Sequence, residues 1–233
     1  MAGQAPLTVS ITRSGGRTPP PDRERLEVAD DGTFTLWRSV RSPVVGRFGG
    51  RLDDGLSAQV SSLAAAAAAV EPPAGPQVPG AATETITVDG VSLRTGSSND
   101  PPGPWGALVV VLRTWLRELT SSPVAAVGLD VAGDGSSAKL VHRGSEPIGL
   151  DLSGLSVRAV VWGPGWEQGG NWSTSVAGDA KVDAGPGWSY DLPFDHGLTV
   201  GAGDALHVFA TFGLFDGDAA VAALASIDPS PGS

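Results

Sequence analysis

The sequence predicts an α+β N-terminal domain, an antiparallel sheet with two helices on one face, followed by an all-β Ig-like sandwich. Three observations lead there. Strand-like alternation and two helical stripes are interleaved up to about residue 120. Beyond about residue 124 the helical spacing vanishes, and about seven short strand-like segments follow in roughly 100 residues. Turn dipeptides and a proline-rich linker, EPPAGPQVPG at 71–80, fall where one pattern gives way to the next. The expected division is 1–122 and 123–228, with 229–233 a disordered tail.

The elements follow in order. In LTVSITR, Leu7, Val9 and Ile11 alternate with Thr8, Ser10 and Thr12, the period of a half-buried strand. That strand runs into Ser14-Gly15-Gly16 and then a proline run. RLEV (25–28) and TFTLWRSV (33–40) flank Asp31-Gly32, a dipeptide suited to a tight hairpin. Asp53 or Asp54 can cap a helix whose face carries Leu56, Val60, Leu63, Ala67 and Val70, and Pro72 stops it. The alanine run 64–69 is helix filler, because alanine has the highest helix propensity. TETITV and VSLR are joined by Asp89-Gly90, a type I′ signal. Pro104 suits the start of a second helix with the stripe Trp105, Leu108, Val109, Leu112, Trp115, Leu116 and Leu119. Arg113, Arg117 and Glu118 are left for its solvent face, and Ser121-Ser122-Pro123 ends it. The sandwich strands are AVGLDV, AKLVHR, PIGLDL, LSVRAVVW, NWSTSV, ALHVFATFGLF and AVAALASI.

Composition narrows the function classes. The 233 residues suffice for two ordinary domains, each with a core that needs no staples. A net charge of −10 opposes nucleic acid as a partner. Arg13, Arg17, Arg23 and Arg25 form no basic stripe, because Asp22 and Glu24 interrupt them. The chain has no cysteine, which excludes disulfides and thiolate metal sites. Residues 1–20 lack the apolar run of a secretory signal, and 63–70 is too short to cross a bilayer. The expectation is a soluble, cytoplasmic protein with no membrane partner.

Catalytic patterns are missing. GAGDAL (201–206) and GPGWEQGG (163–170) have the wrong glycine spacing for nucleotide loops and read as hairpin turns. There is no GxSxG elbow, and His142, His196 and His207 lie far in sequence from Ser14. Asp191, Asp195 and His196, with Asp216 and Asp218, fit neither an EF-hand loop nor HExxH. The expectation is therefore no cofactor, no metal and no enzyme activity. The seven tryptophans are the larger anomaly. Trp105 and Trp115 belong to the helical stripe, and Trp37 alternates ambiguously with Phe34 and Leu36. Among Trp162, Trp166, Trp172 and Trp188 at least one is expected in the sandwich core. Trp166 and Trp172 fall in what reads as a long loop, where exposed aromatics favour a protein or sugar partner.

The strand and turn VSITRSGG, and the elements behind it, resemble emfourin-type proteins, small bacterial inhibitors associated with protealysin-like M4 metalloproteases. Members of that group begin with a strand running into an (R/E)-(S/E)-G-G turn, followed by a strand, a helix, a strand pair and an amphipathic helix. The corresponding segments here are 9–13, Ser14-Gly15-Gly16, 26–28, 56–70, 83–94 and 105–119. The resemblance covers at most residues 7–120, and its one sharp element is four residues long. The family usually continues the double glycine with an aromatic or small apolar residue, where this chain has Arg17-Thr18 and three prolines. The stretch DGTFTLWRSVRSPVVGRFGGRLDDG is also longer than the family implies, and the sandwich has no counterpart. The resemblance implies a binding finger at Arg13, Ser14, Gly15, Gly16 and Arg17, directed at an M4-type metalloprotease. The plain alternative is that the glycines end a strand. The leading expectation is thus a non-enzymatic protein-interaction protein, an inhibitor of such a protease. Its alternative is a structural or carbohydrate-binding β-sandwich using Trp166 and Trp172.

Overall fold

Period-2 alternation dominates the computed structural model, which describes residues 9–15, 22–74, 82–97, 100–119, 121–214 and 221–227. About 53% of the described residues are strand, mostly in antiparallel sheets, with two helices among them. The chain divides into two units, 1–38 with 47–122 and 39–46 with 123–233.

The first unit contains β1 (Val9–Gly15), β2 (Asp22–Val28) and β3 (Thr33–Arg38). After β4 (Val40–Ser42), which belongs to the second unit, β5 (Val44–Arg51) returns to the first at Arg47. Then come α1 (Asp54–Ala68), β6 (Thr83–Val88), β7 (Val91–Gly96) and α2 (Gly103–Glu118). Its strands lie in the order β5-β3-β2-β1-β6-β7. Register aligns the apolar residues in rows: Val9 lies between Val28 and Val88, and Ile11 between Leu26 and Ile86. All six are buried. Burying each such side chain stabilises the fold by about 1.5–3 kcal/mol. The two aspartate-glycine turns form as their chemistry requires. Asp89 and Gly90 both take positive φ, 46° and 81°, the type I′ geometry that suits the twist of paired strands.

Asp53 is the N-cap of α1, its carboxylate accepting the Leu56 N–H at 2.9 Å. Asp53→Ala should lower unfolding free energy by about 1 kcal/mol, measured in urea. Val60, Ala64 and Ala67 face inward, and the small alanines let α1 contact α2. Trp105 lies fully buried and donates its indole N–H to the Val70 carbonyl at 3.2 Å, joining the two helices. Close approach also accounts for Gly106, where a Cβ would sit 1.8 Å from the Pro101 carbonyl oxygen. Arg113 corrects the sequence reading. It is buried among the α2 stripe residues instead of facing solvent, because a buried carboxylate from β6 holds it there.

The second unit contains β8 (Ser122–Val131), β9 (Ala138–Gly144), β10 (Ile148–Trp162), β11 (Gln168–Ser175), β12 (Val182–Ala184), β13 (Ser189–Leu192), β14 (Ala205–Leu214) and β15 (Val221–Ile227). One run is β13-β9-β8, and a second sheet has the order β11-β10-β14-β15-β4, with β12 also on β10. The β15–β4 pair is parallel. Three readings change. Segment 39–46, read as part of the first domain, joins the second unit through that pairing and through the Pro43 carbonyl, which accepts from Leu129 N–H at 2.8 Å. PIGLDL and LSVRAVVW are one strand, β10, whose pairing with β14 is irregular between Asp151 and Ser156. β12 and β13 are three and four residues long, too short to show a period. None of Trp162, Trp166, Trp172 or Trp188 is fully buried: Trp172 turns to the core side but stays half-buried, and Phe194, Phe212 and aliphatic side chains fill the interior. The tail 229–233 lies outside the described residues.

Three aspartates repeat one turn. Asp31, Asp134 and Asp151 each accept both the backbone N–H and the hydroxyl of the residue two positions on, Thr33, Ser136 and Ser153. The hydroxyl bond, then the backbone bond, holds each carboxyl below its usual value of 3.8. A carboxyl depressed in the folded state adds stability above its unfolded pKa and loses it as pH falls through the folded pKa. Titration followed by NMR should therefore find all three ionising below ordinary aspartates. Asp151→Asn should flatten the acid limb of the stability curve.

Candidate binding site

Cross-strand register builds the root of the β1–β2 hairpin from charge. The rows of valine, leucine and isoleucine end in a row where Arg13 lies opposite Glu24 on β2 and Glu84 on β6. Arg13 donates from Nε and Nη2 to Glu84 Oε1 at 2.9 and 2.8 Å, and from Nη1 to Glu24 Oε2 at 3.1 Å. Arg38 extends the row, bonding Glu24 Oε1 at 3.2 Å and the Leu116 carbonyl at 2.8 Å. Above it, Arg113 reaches down from α2 to Glu84 Oε2 at 2.6 Å, Asp100 Oδ1 at 2.5 Å and the Gly96 carbonyl at 3.1 Å. Glu84 is completely buried, and guanidinium groups hold both its oxygens. Arg13 is committed inward and positions the strand; Ser14 beyond it is exposed. Gly15 takes φ 101°, a conformation L side chains rarely adopt. Gly16 and Arg17 lie outside the described residues.

The second candidate is the turn from β10 to β11. Gly163 N–H donates to the Glu167 carbonyl and Trp166 N–H to the Gly163 carbonyl, both at 2.9 Å. This closes a short loop with its fourth residue in the left-handed region, a position that favours glycine. Here it is Trp166, at φ 63° and 76% exposed. The large side chain gains little burial in exchange for a strained backbone, a combination associated with binding sites. Trp166→Gly should raise unfolding free energy by about 0.5–1 kcal/mol, since the strain relieved exceeds the added chain entropy. Denaturant titration checks this.

Trp172 is not in a long loop. Gly169 and Gly170 sit at a register shift, and β11 then places Trp172 opposite Ala159 on the core side. There its ring meets Phe194 edge-on at 5.8 Å. Trp162, named from the sequence only as a candidate for the core, faces the other way, with His207 6.5 Å from its ring. Only the strand pairing reveals this, though the alternation in LSVRAVVW carried a hint.

The glycine-rich segments are turns: Asp204 N–H bonds the Gly201 carbonyl, and its carboxylate accepts Gly201 N–H at 2.9 Å. No group of three or more His, Asp and Glu residues is placed to hold a metal among the described residues. His196 accepts Leu198 N–H on Nδ1 at 2.9 Å, so Nε2 carries the proton and donates to the Gly135 carbonyl at 3.0 Å. Asp216 and Asp218 are outside the described residues. His142 is buried against the Glu146 carbonyl at 2.8 Å. No helix among the described residues is long and apolar enough to cross a membrane. Compared with protein-family models, curated proteins and solved structures, the chain matches none.

Proposed function

We propose that this chain is a non-enzymatic protein-interaction protein. Its first unit is an α+β, emfourin-like module that inhibits an M4-type metalloprotease, and its second an Ig-like β-sandwich offering another contact surface. The observation that carries the reading is the fixed hairpin root: Arg13 bonded to Glu84 and Glu24, with exposed Ser14 and half-buried Gly15 directly beyond. A binding segment held by a rigid base loses little entropy on binding, which is what an inhibitor needs. A cytoplasmic setting is part of the proposal, consistent with a chain that lacks cysteine. The test is titration of M4 metalloproteases with the purified chain. Inhibition is expected, and Gly15→Trp, checked for folding, should weaken it by about tenfold or more. Absence of inhibition at micromolar concentration across several such enzymes contradicts the reading.

A second reading, carbohydrate binding by the sandwich, is favoured by the strained and exposed Trp166. An aromatic held at a hairpin tip offers a flat apolar surface with an indole N–H at its edge, suited to a sugar ring.

A further inference from the structure

We infer that the outward face of the β11-β10-β14 sheet, with the Trp166 turn at its end, binds an acidic oligosaccharide, one that carries carboxylate groups. The inference rests on the carbohydrate reading above and names the ligand class and the residues.

Each of the strands sends one alternate set inward. Val157, Ala159 and Val161 of β10 and Leu206, Val208 and Ala210 of β14 are all buried. The other set points away from that core, and register arranges it in rows. Arg158 lies between Ser173 and Phe209, and Val160, buried although it is on this side, lies between Asn171 and His207. Trp162, next on the same side, stands against His207 with the rings inclined at 57°. Arg158 and Asn171 are exposed, while Trp162, His207 and Phe209 are half-buried.

The outward face of an antiparallel sheet is ordinarily polar. This one is divided, with aromatic rings along β10 and β14 and amide and hydroxyl groups along β11. A sugar is divided in the same way: its C–H face packs on aromatic rings, and its hydroxyls exchange hydrogen bonds with amide, imidazole and guanidinium groups. Arg158 supplies the charge preference. It makes no ion pair among the described residues, whereas Arg13, Arg38, Arg113 and Arg143 each hold a carboxylate. A chain of net charge −10 repels anions at long range, so an unpaired guanidinium here selects for a carboxylate placed within hydrogen-bond reach.

The experiment titrates the full chain with oligogalacturonate and with a neutral gluco-oligosaccharide of equal length, reading heat and tryptophan emission. Oligogalacturonate should bind and shift the emission. Arg158→Gln, at an exposed position, should weaken binding by about tenfold, and raised salt should act in the same direction. Trp162→Ala should abolish binding, while Trp172→Phe, on the core side, should leave it unchanged. Circular dichroism verifies that each variant folds, and Arg158→Gln decides alone if Trp162→Ala does not. Equal binding of the neutral sugar with no effect of Arg158→Gln overturns the inference but leaves the carbohydrate reading standing. The same holds if binding depends on Trp172 and not on Trp162. Binding of neither sugar overturns both.

Discussion

Glu84→Gln should lower the unfolding free energy of the first unit by about 3–5 kcal/mol, the usual cost of removing one member of a buried ion group. The neutral amide keeps the shape of the side chain but leaves the partly buried guanidiniums of Arg13 and Arg113 without their shared counter-charge. The amide also cannot accept on both ends. It would have to present an N–H donor to one of two groups that are themselves donors. The compensating experiment separates charge from packing. In the double variant Glu84→Leu with Arg113→Met, Arg13 still has Glu24 at 3.1 Å, so most of the lost stability should return. Urea unfolding of the single and double variants checks both statements. A single variant as stable as wild type would show that the network holds nothing in place.

Trp105→Ala is the second large effect, expected at about 3–5 kcal/mol. The indole is fully buried near the start of α2, where backbone crowding already requires glycine at position 106. Its removal leaves a cavity where α1 and α2 meet and takes the donor from the Val70 carbonyl. Trp105→Phe isolates the second component: it keeps most of the volume and loses only the hydrogen bond, for about 0.5–1.5 kcal/mol. Domains are stable by only about 5–15 kcal/mol, so Trp105→Ala should leave the first unit marginal at room temperature while Trp105→Phe should not. Thermal and urea melts of the two variants, followed by near-ultraviolet dichroism, measure the difference.

Local chemistry was legible in the sequence and register was not. Asp31-Gly32, Asp89-Gly90, the Asp53 cap and the α2 stripe each depend on residues a few positions apart, and each forms where its residues direct. Arg113 escaped because its charge suggested the solvent side, although its spacing, four residues after Val109 and three before Leu116, puts it at the edge of the stripe. Its attraction to Glu84 is set by a strand 29 positions away. The polar row at the hairpin root has the same origin: Arg13, Glu24 and Glu84 look like scattered surface charges until strands β1, β2 and β6 are aligned. In the second unit the glycines before Trp172 looked like loop residues, though they sit at a register shift after which the strand resumes its alternation. That shift decides which tryptophan faces the core. Trp166 was legible as an exposed aromatic, but its positive φ was not, because the glycine such a turn favours sits one residue earlier.

Direct complex formation tests the proposal that the chain works by presenting the β1–β2 hairpin to a protein partner. Purified chain and an M4 metalloprotease are mixed and followed by calorimetry, with Gly15→Trp and Trp166→Ala in parallel. A stoichiometric complex is expected with wild type and with Trp166→Ala, and its loss with folded Gly15→Trp. No complex at micromolar concentration with any of several such enzymes, or a complex that survives Gly15→Trp, contradicts it.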